Sequence, residues 1–135
     1  MKEKKIFIID DDEISIFLLK ELLLTQSIGD NVFTFLFAEK ALEEIRIALD
    51  TDPAQLPDII FLDLSMPQMS GWNFLDSLRF YEDRMKGKCV VYIMTSAIDI
   101  SEYKRSSEYK LVGGYFNKPI EMDALDIIRK DIYSR

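Results

Sequence analysis

Short apolar runs alternate with segments of helical period along the whole chain, and nothing else in the sequence constrains the fold as strongly. KKIFIID, VFTFLF, DIIFLD, CVVYIMT and GYFN read as strands. Between and after them, EISIFLLKELLLTQ, EKALEEIRIAL, GWNFLDSLRFYEDRM (stopping near Gly87), SEYKRSSEYK and MDALDIIRKDIY read as helices. The first helix is expected to turn Ser15, Leu18, Leu19, Leu22 and Leu23 inward, and the last Leu125, Ile128 and Ile132. Five βα units in succession predict an α/β fold: a doubly wound parallel sheet with helices on both faces. Strands buried on both faces read as unbroken apolar runs, as IIFL and VVYIM do. At 135 residues the chain has room for one such domain, over residues 1–135.

Open sheets of this kind bind ligands beyond the carboxyl ends of their strands. The first strand runs out through IFIIDDD into Asp10, Asp11 and Asp12. The third ends at Asp63, the fourth at Thr95 and Ser96, and the fifth at Lys118. In the strand order 2-1-3-4-5 the first and third strands are neighbours, so Asp10 and Asp11 come beside Asp63. Three converging carboxylates need a counter-charge, and hard oxygen ligands without His or Cys fit magnesium. A carboxylate is also a nucleophile toward phosphorus, and phosphoryl transfer needs its equatorial oxygens neutralised. A lysine and a hydroxyl, such as Lys118 and Thr95, serve that purpose. Taken singly, each residue has a plainer reading. Asp11, Asp12 and Glu13 could cap the first helix, Asp63 could shape a turn, Thr95 could cap, and Lys118 could be solvated. Capping does not explain why all of them fall on one edge of one sheet.

Composition removes several other classes. The net charge is -7, from 17 Lys and Arg against 24 Asp and Glu, and no basic stripe stands out, so nucleic acid is not an expected partner. Histidine is absent, which excludes His-ligated zinc, Ser-His catalysis and an internal phosphohistidine. The single cysteine, Cys89, cannot form an internal disulfide and reads as a small core residue. No apolar run has transmembrane length, and MKEKK leads into a strand rather than a signal peptide, so a cytoplasmic, membrane-independent protein is expected.

The motifs IFIIDDDE, PDIIFLDLSMPQMSG, IMTSA and GGYFNKP, in this order and spacing, resemble the CheY-like receiver domain of two-component response regulators. The resemblance spans essentially the whole chain. It implies the flavodoxin-like sheet of order 2-1-3-4-5 flanked by five helices. It implies Asp63 as phosphoacceptor, with Asp11 ligating Mg²⁺ (or Mn²⁺) directly, Asp10 mainly through water, and Ser65 through its backbone carbonyl. Lys118 would pair with the phosphoryl group, Thr95 would reach it through its hydroxyl, and Ser96 fills the small position beside it. Tyr115 matches the aromatic switch residue, and Lys118–Pro119 the family's cis bond. Asp12 matches no metal position and is assigned to capping or solvent. Where the family usually has Asp-Gly after the Met-Pro turn, this chain has Ser70-Gly71. Ser65 and Ala97 stand at the two positions where the family varies its dephosphorylation rate, and both are small.

The resemblance also implies partners. The phosphoryl donor would be a sensor histidine kinase or a histidine phosphotransfer protein, docking on a second apolar row of the first helix: Ile14, Phe17 and Leu24. Phosphorylation would shift the face carrying Tyr103, Tyr109, Tyr115, Asn117 and Met122, where a downstream protein target or a phosphorylation-dependent homodimer would bind. No output domain is expected, so the chain would signal by contact or pass the phosphoryl group on. One alternative is a haloacid-dehalogenase-like phosphatase with Asp10 as nucleophile in Asp10-x-Asp12, which leaves LDLSMP unexplained. A flavin or nucleotide binder lacks a glycine-rich phosphate loop. A receiver that is never phosphorylated and works by contact alone is the remaining alternative.

Overall fold

The structure is a computed structural model that describes residues 4–28 and 31–134; the first three residues of MKEKK lie outside it. Its centre is three strands, β1 (Lys5–Ile9), β3 (Ile59–Asp63) and β4 (Val90–Thr95), buried almost from end to end. β2 (Asn31–Phe35) and β5 (Val112–Asn117) form the edges and are only partly buried. All pairs are parallel, in the order β2-β1-β3-β4-β5.

Strand side chains alternate between two cores, as the pleat requires. Phe7, Ile9, Ile60, Leu62, Val91 and Ile93 point to one face. There α2 (Ala38–Thr51) and α3 (Gly71–Leu78) cover them with Leu42, Ile45, Phe74 and Leu78. Ile6, Ile8, Phe61, Tyr92 and Met94 point to the other, covered by α1 (Glu13–Thr25) and the C-terminal helix Met122–Tyr133. The buried Tyr92 ring keeps its hydroxyl satisfied by donating to Asp131 of that helix.

The expected helix 71–85 is one helical segment in three pieces. After α3 come a 3-10 turn (Arg79–Tyr81) and the single turn α4 (Glu82–Met85), and Gly87 ends the run at φ +84°. With α5 (Ile100–Ser106) and α6 (Met122–Tyr133), the described residues form five helical segments flanking the sheet, besides a 3-10 turn at Pro53–Gln55. Cys89 is buried. No described helix is long and apolar enough to cross a membrane.

Three expectations need correction. The inner row of α1 is Ile16, Leu19 and Leu23, whereas Leu18 is exposed with Ile14, Phe17 and Leu24. This helix is apolar nearly all round, so periodicity alone does not select its phase. α5 stops at Ser106 instead of Lys110, because the Ser106 and Ser107 hydroxyls bond back to the carbonyls of Tyr103 and Lys104. β5 starts at Val112 rather than Gly114. Val91 pairs with Val112 and Tyr92 with Gly114, so Gly113 bulges out at the sheet edge.

Candidate functional site

The β1 exit is built by short-range hydrogen bonds. The Asp10 N–H donates to Phe35 O at 3.0 Å, which closes the β1–β2 ladder and fixes the residue at the strand end. Asp12 caps α1, accepting from Ile14 N–H (3.0 Å) and from the Ser15 hydroxyl (2.9 Å). These two bonds, the hydroxyl's first, hold its carboxyl below the usual carboxylate range. The Asp12 N–H also donates to Asp10 Oδ1 at 2.9 Å. Asp12 therefore shapes the loop that presents its neighbours, in keeping with its assignment to capping.

Asp10 is fully buried and Asp63 nearly so, while Asp11 is exposed. One carboxylate oxygen from each of the three lies within 4.8 Å of the others. Lys118, at the β5 exit, puts its Nζ 2.7 Å from Asp10 Oδ2 and 3.8 Å from Asp63 Oδ1. Its own N–H donates to Thr95 O (2.7 Å), and the following Lys118–Pro119 bond is cis. One ammonium pairs with two of the three carboxylates, which leaves an excess of negative charge. Burial pushes the Asp63 carboxyl up to about 7, the Asp10 charge adds to this, and Lys118 opposes it. Asp10 Oδ2 makes its ion pair but no aligned hydrogen bond. A hard divalent cation fits this donor set, because it would relieve the repulsion and complete the buried oxygen.

Behind Asp63 the chain is tightly packed. A Cβ on Gly71 would lie 2.6 Å from Asp63 O and 2.8 Å from Leu64 Cα. Only glycine lets α3 start there, and the Ser70–Asn73 capping box secures that start.

Thr95 is buried at the β4 exit and donates to Ala97 O at 3.0 Å, so its hydroxyl is turned toward its own loop. Ser65, at the start of the loop after Asp63, is exposed. The half-buried Tyr115 donates to Glu102 Oε1 (3.1 Å) and accepts from Asp99 N–H (3.2 Å). Burial, with the Glu102 carboxylate, raises its phenol above the ordinary value. The motifs do not single out Asp99 and Glu102, the two residues that hold the Tyr115 hydroxyl. Their D-x-x-E spacing, a helix-start signal, was available to find them.

Of the docking residues, Ile14 (71% exposed) and Phe17 (61%) stand on α1 and Tyr103 (57%) on α5, all open to solvent. Tyr109 does not join them. It is 4% exposed, stacks with Trp72 and donates to Asp76 Oδ1 at 2.6 Å. It offers a partner almost no surface, and the docking role expected of it is withdrawn.

The family model for the response regulator receiver domain matches residues 6–129. The chain belongs to the response regulator receiver domain family. Solved receiver structures superpose along its length. A two-component response regulator from Cytophaga hutchinsonii is 22% identical with a TM-score of 0.89, covering 100% of both chains. A receiver protein from Dyadobacter fermentans is 24% identical with a TM-score of 0.81, covering 96% of this chain and 98% of the other. The BeF3-activated DrrB receiver domain is 24% identical with a TM-score of 0.74, covering 99% and 100%. No curated protein sequence matches the chain. The flavodoxin-like, CheY-like sheet order expected from the motifs is the order observed. The receiver domain family is one of signalling phosphoacceptor modules rather than turnover enzymes, and the haloacid-dehalogenase alternative falls with that assignment.

Proposed function

We propose that this receiver domain takes a phosphoryl group onto Asp63 from a phosphohistidine of a partner protein and passes the change to α5 and β5. The observation that carries the reading is the single arrangement at the strand exits: Asp63 beside Asp10, Asp11 and Lys118, with Thr95 ending the neighbouring strand. An Asp63 oxygen attacks phosphorus, the phosphorus–nitrogen bond to the donor imidazole breaks, and its electron pair leaves on the imidazole, which takes a proton from water. Lys118 holds one phosphoryl oxygen as an ammonium. Thr95 gives up Ala97 O and donates to another phosphoryl oxygen, and Tyr115 follows.

Asp10, Asp11, Asp63 and the Ser65 carbonyl would hold Mg²⁺ or Mn²⁺. The bound ion supplies the charge neutralisation that the crowded carboxylates and the incoming phosphoryl group both require. Loss of the group is a second displacement: water attacks phosphorus, the bond to the Asp63 oxygen breaks, the carboxylate leaves, and the water's proton passes to solvent or to the released phosphate. Small side chains at Ser65 and Ala97 neither shield nor orient that water. A sensor histidine kinase or phosphotransfer protein is the donor, against Ile14 and Phe17 of α1. A downstream target, or a second copy, binds the face with Tyr103 and Tyr115.

The test is labelling by a small acyl phosphate, followed by intact mass. Wild type should gain one phosphoryl mass only when Mg²⁺ is present, and Asp63→Asn should gain none. A folded wild type that never labels would overturn the reading in favour of a receiver that works by contact alone.

A further inference from the structure

α5 is an unusual member of this fold because its only buried residue is Ser106. Every other flanking helix of two turns or more buries several apolar side chains against the sheet. Hydrophobic burial therefore does little to fix α5, and discrete contacts at its two ends must hold it. At the N-terminal end the contact is Tyr115, whose hydroxyl bonds to Glu102 and to the Asp99 N–H and whose ring meets Tyr103 edge-on at 5.8 Å. At the C-terminal end a stack of four side chains runs Arg79–Tyr109–Trp72–Arg105. The Arg79 guanidinium lies 4.3 Å from the Tyr109 ring centre, and the Tyr109 and Trp72 rings are 5.9 Å apart at 30°. The Arg105 guanidinium lies 4.2 Å from the Trp72 ring. Tyr109 is fixed in turn by Asp76 of α3.

Trp72 follows Gly71, the residue jammed against the backbone of Asp63 and Leu64. Arg105 thus ties the far end of α5 to the element that starts at the acceptor. We propose that the Arg105–Trp72 contact is a second latch on α5, closed in the resting protein and opened when the acceptor site is loaded. The inference rests on the reading of Asp63 given above. It adds a second contact that the movement of Thr95 and Tyr115 must release.

The physical argument is one of rigidity. α5 has seven residues, about 10 Å of helix, and it moves as a unit. When Thr95 leaves Ala97 O, the loop that carries Ala97 and Asp99 moves, and the N-terminal end of α5 moves with it. Tilt at one end displaces the other. A shift of about 2 Å takes Arg105 beyond the roughly 6 Å reach of a cation over a ring. A contact made only in the resting state opposes activation by the free energy it contributes, so removing it favours the loaded state. Arg105 is a positioning residue: it touches neither the acceptor nor the phosphoryl group.

Trp72 is the only tryptophan in the chain, so its fluorescence reports the latch directly. The experiment uses wild type, Arg105→Gln, Arg105→Lys and Trp72→Phe, with beryllofluoride plus Mg²⁺ as the phosphoryl mimic. In Arg105→Gln, amides of residues 100–106 should exchange several-fold faster at rest. Beryllofluoride affinity should rise about threefold, the size expected of one exposed cation–ring contact. The Trp72 emission change seen when wild type is loaded should shrink in this variant. Arg105→Lys, which keeps charge but loses the planar contact, should fall between. Trp72→Phe, which keeps a ring under the guanidinium, should exchange as wild type does. If acyl phosphate labels wild type on Asp63 while Arg105→Gln matches it in both exchange and affinity, the latch is wrong and the function stands. If wild type does not label, the function is wrong and the latch as a coupling device goes with it.

Discussion

Asp63 holds its carboxyl in a position where the fold resists its charge. Burial is the largest force lifting its carboxyl to about 7, the Asp10 charge is next, and Lys118 offsets only part of both. In the unfolded chain the same group titrates near 3.8. Between those values the folded protein keeps a proton that the unfolded chain has lost, so this residue's contribution to stability falls as pH rises through the window. Asp63→Asn removes the titration. In urea unfolding with a chelator present, the variant should gain about 2 kcal/mol on wild type between pH 5 and pH 8. Parallel pH curves for the two proteins would mean that Asp63 is an ordinary solvated carboxylate. The polar residues of the site were legible in the sequence because each ends a parallel strand, and strand ends share one edge whatever the local conformation. Tyr109 was not legible. Its burial depends on Asp76, 33 residues away, and no local pattern carries that information.

At the scale of elements, strands and helices differ in how well a sequence specifies them. β3 and β4 were plain because IIFL and VVYIM are apolar without a break, and MDALDIIRKDIY gave α6 its bounds, Met122–Tyr133. The phase of α1 was not plain, since Ile14, Phe17 and Leu18 compete on apolar character with Ile16, Leu19 and Leu23. The sheet decides which row turns inward. Gly71 is the other kind of constraint, a close approach that hydropathy cannot show. Gly71→Ala would put a methyl group against the backbone of Asp63 and Leu64, which cannot rotate out of its way. The start of α3 must then move. Denaturant unfolding should show a loss of about 2 kcal/mol, the usual cost of overpacking. Acyl-phosphate labelling should slow as well, because the carbonyl that gives way belongs to Asp63, the proposed acceptor. Full stability in Gly71→Ala would mean that this contact relaxes freely.

For the whole molecule, the carboxylate cluster is a local cost set against two well-filled cores. Leu42, Ile45, Phe74 and Leu78 close one face of the sheet, and Ile16, Leu23, Leu125 and Ile128 close the other. The strand exits between them can carry Asp10, Asp11 and Asp63 together because stability is supplied elsewhere. Such a site should show itself by linkage. A cation that binds the folded cluster and not the unfolded chain stabilises the fold by RT ln(1 + [L]/Kd). At ten times Kd that is about 1.4 kcal/mol, or roughly 5 °C in the melting temperature of a domain this size. Because the chain carries a net charge of -7, any salt also screens general repulsion, so Mg²⁺ must be compared with NaCl at equal ionic strength. Mg²⁺ and Mn²⁺ should each raise the melting temperature by this amount above the NaCl control. Asp11→Asn should lose most of the increment while its NaCl response stays the same, since the substitution removes a ligand and leaves the remaining surface charge nearly unchanged. An equal Mg²⁺ increment in wild type and Asp11→Asn would place the ion on the general acidic surface, and Asp10 and Asp63 would then depend on Lys118 alone for their counter-charge.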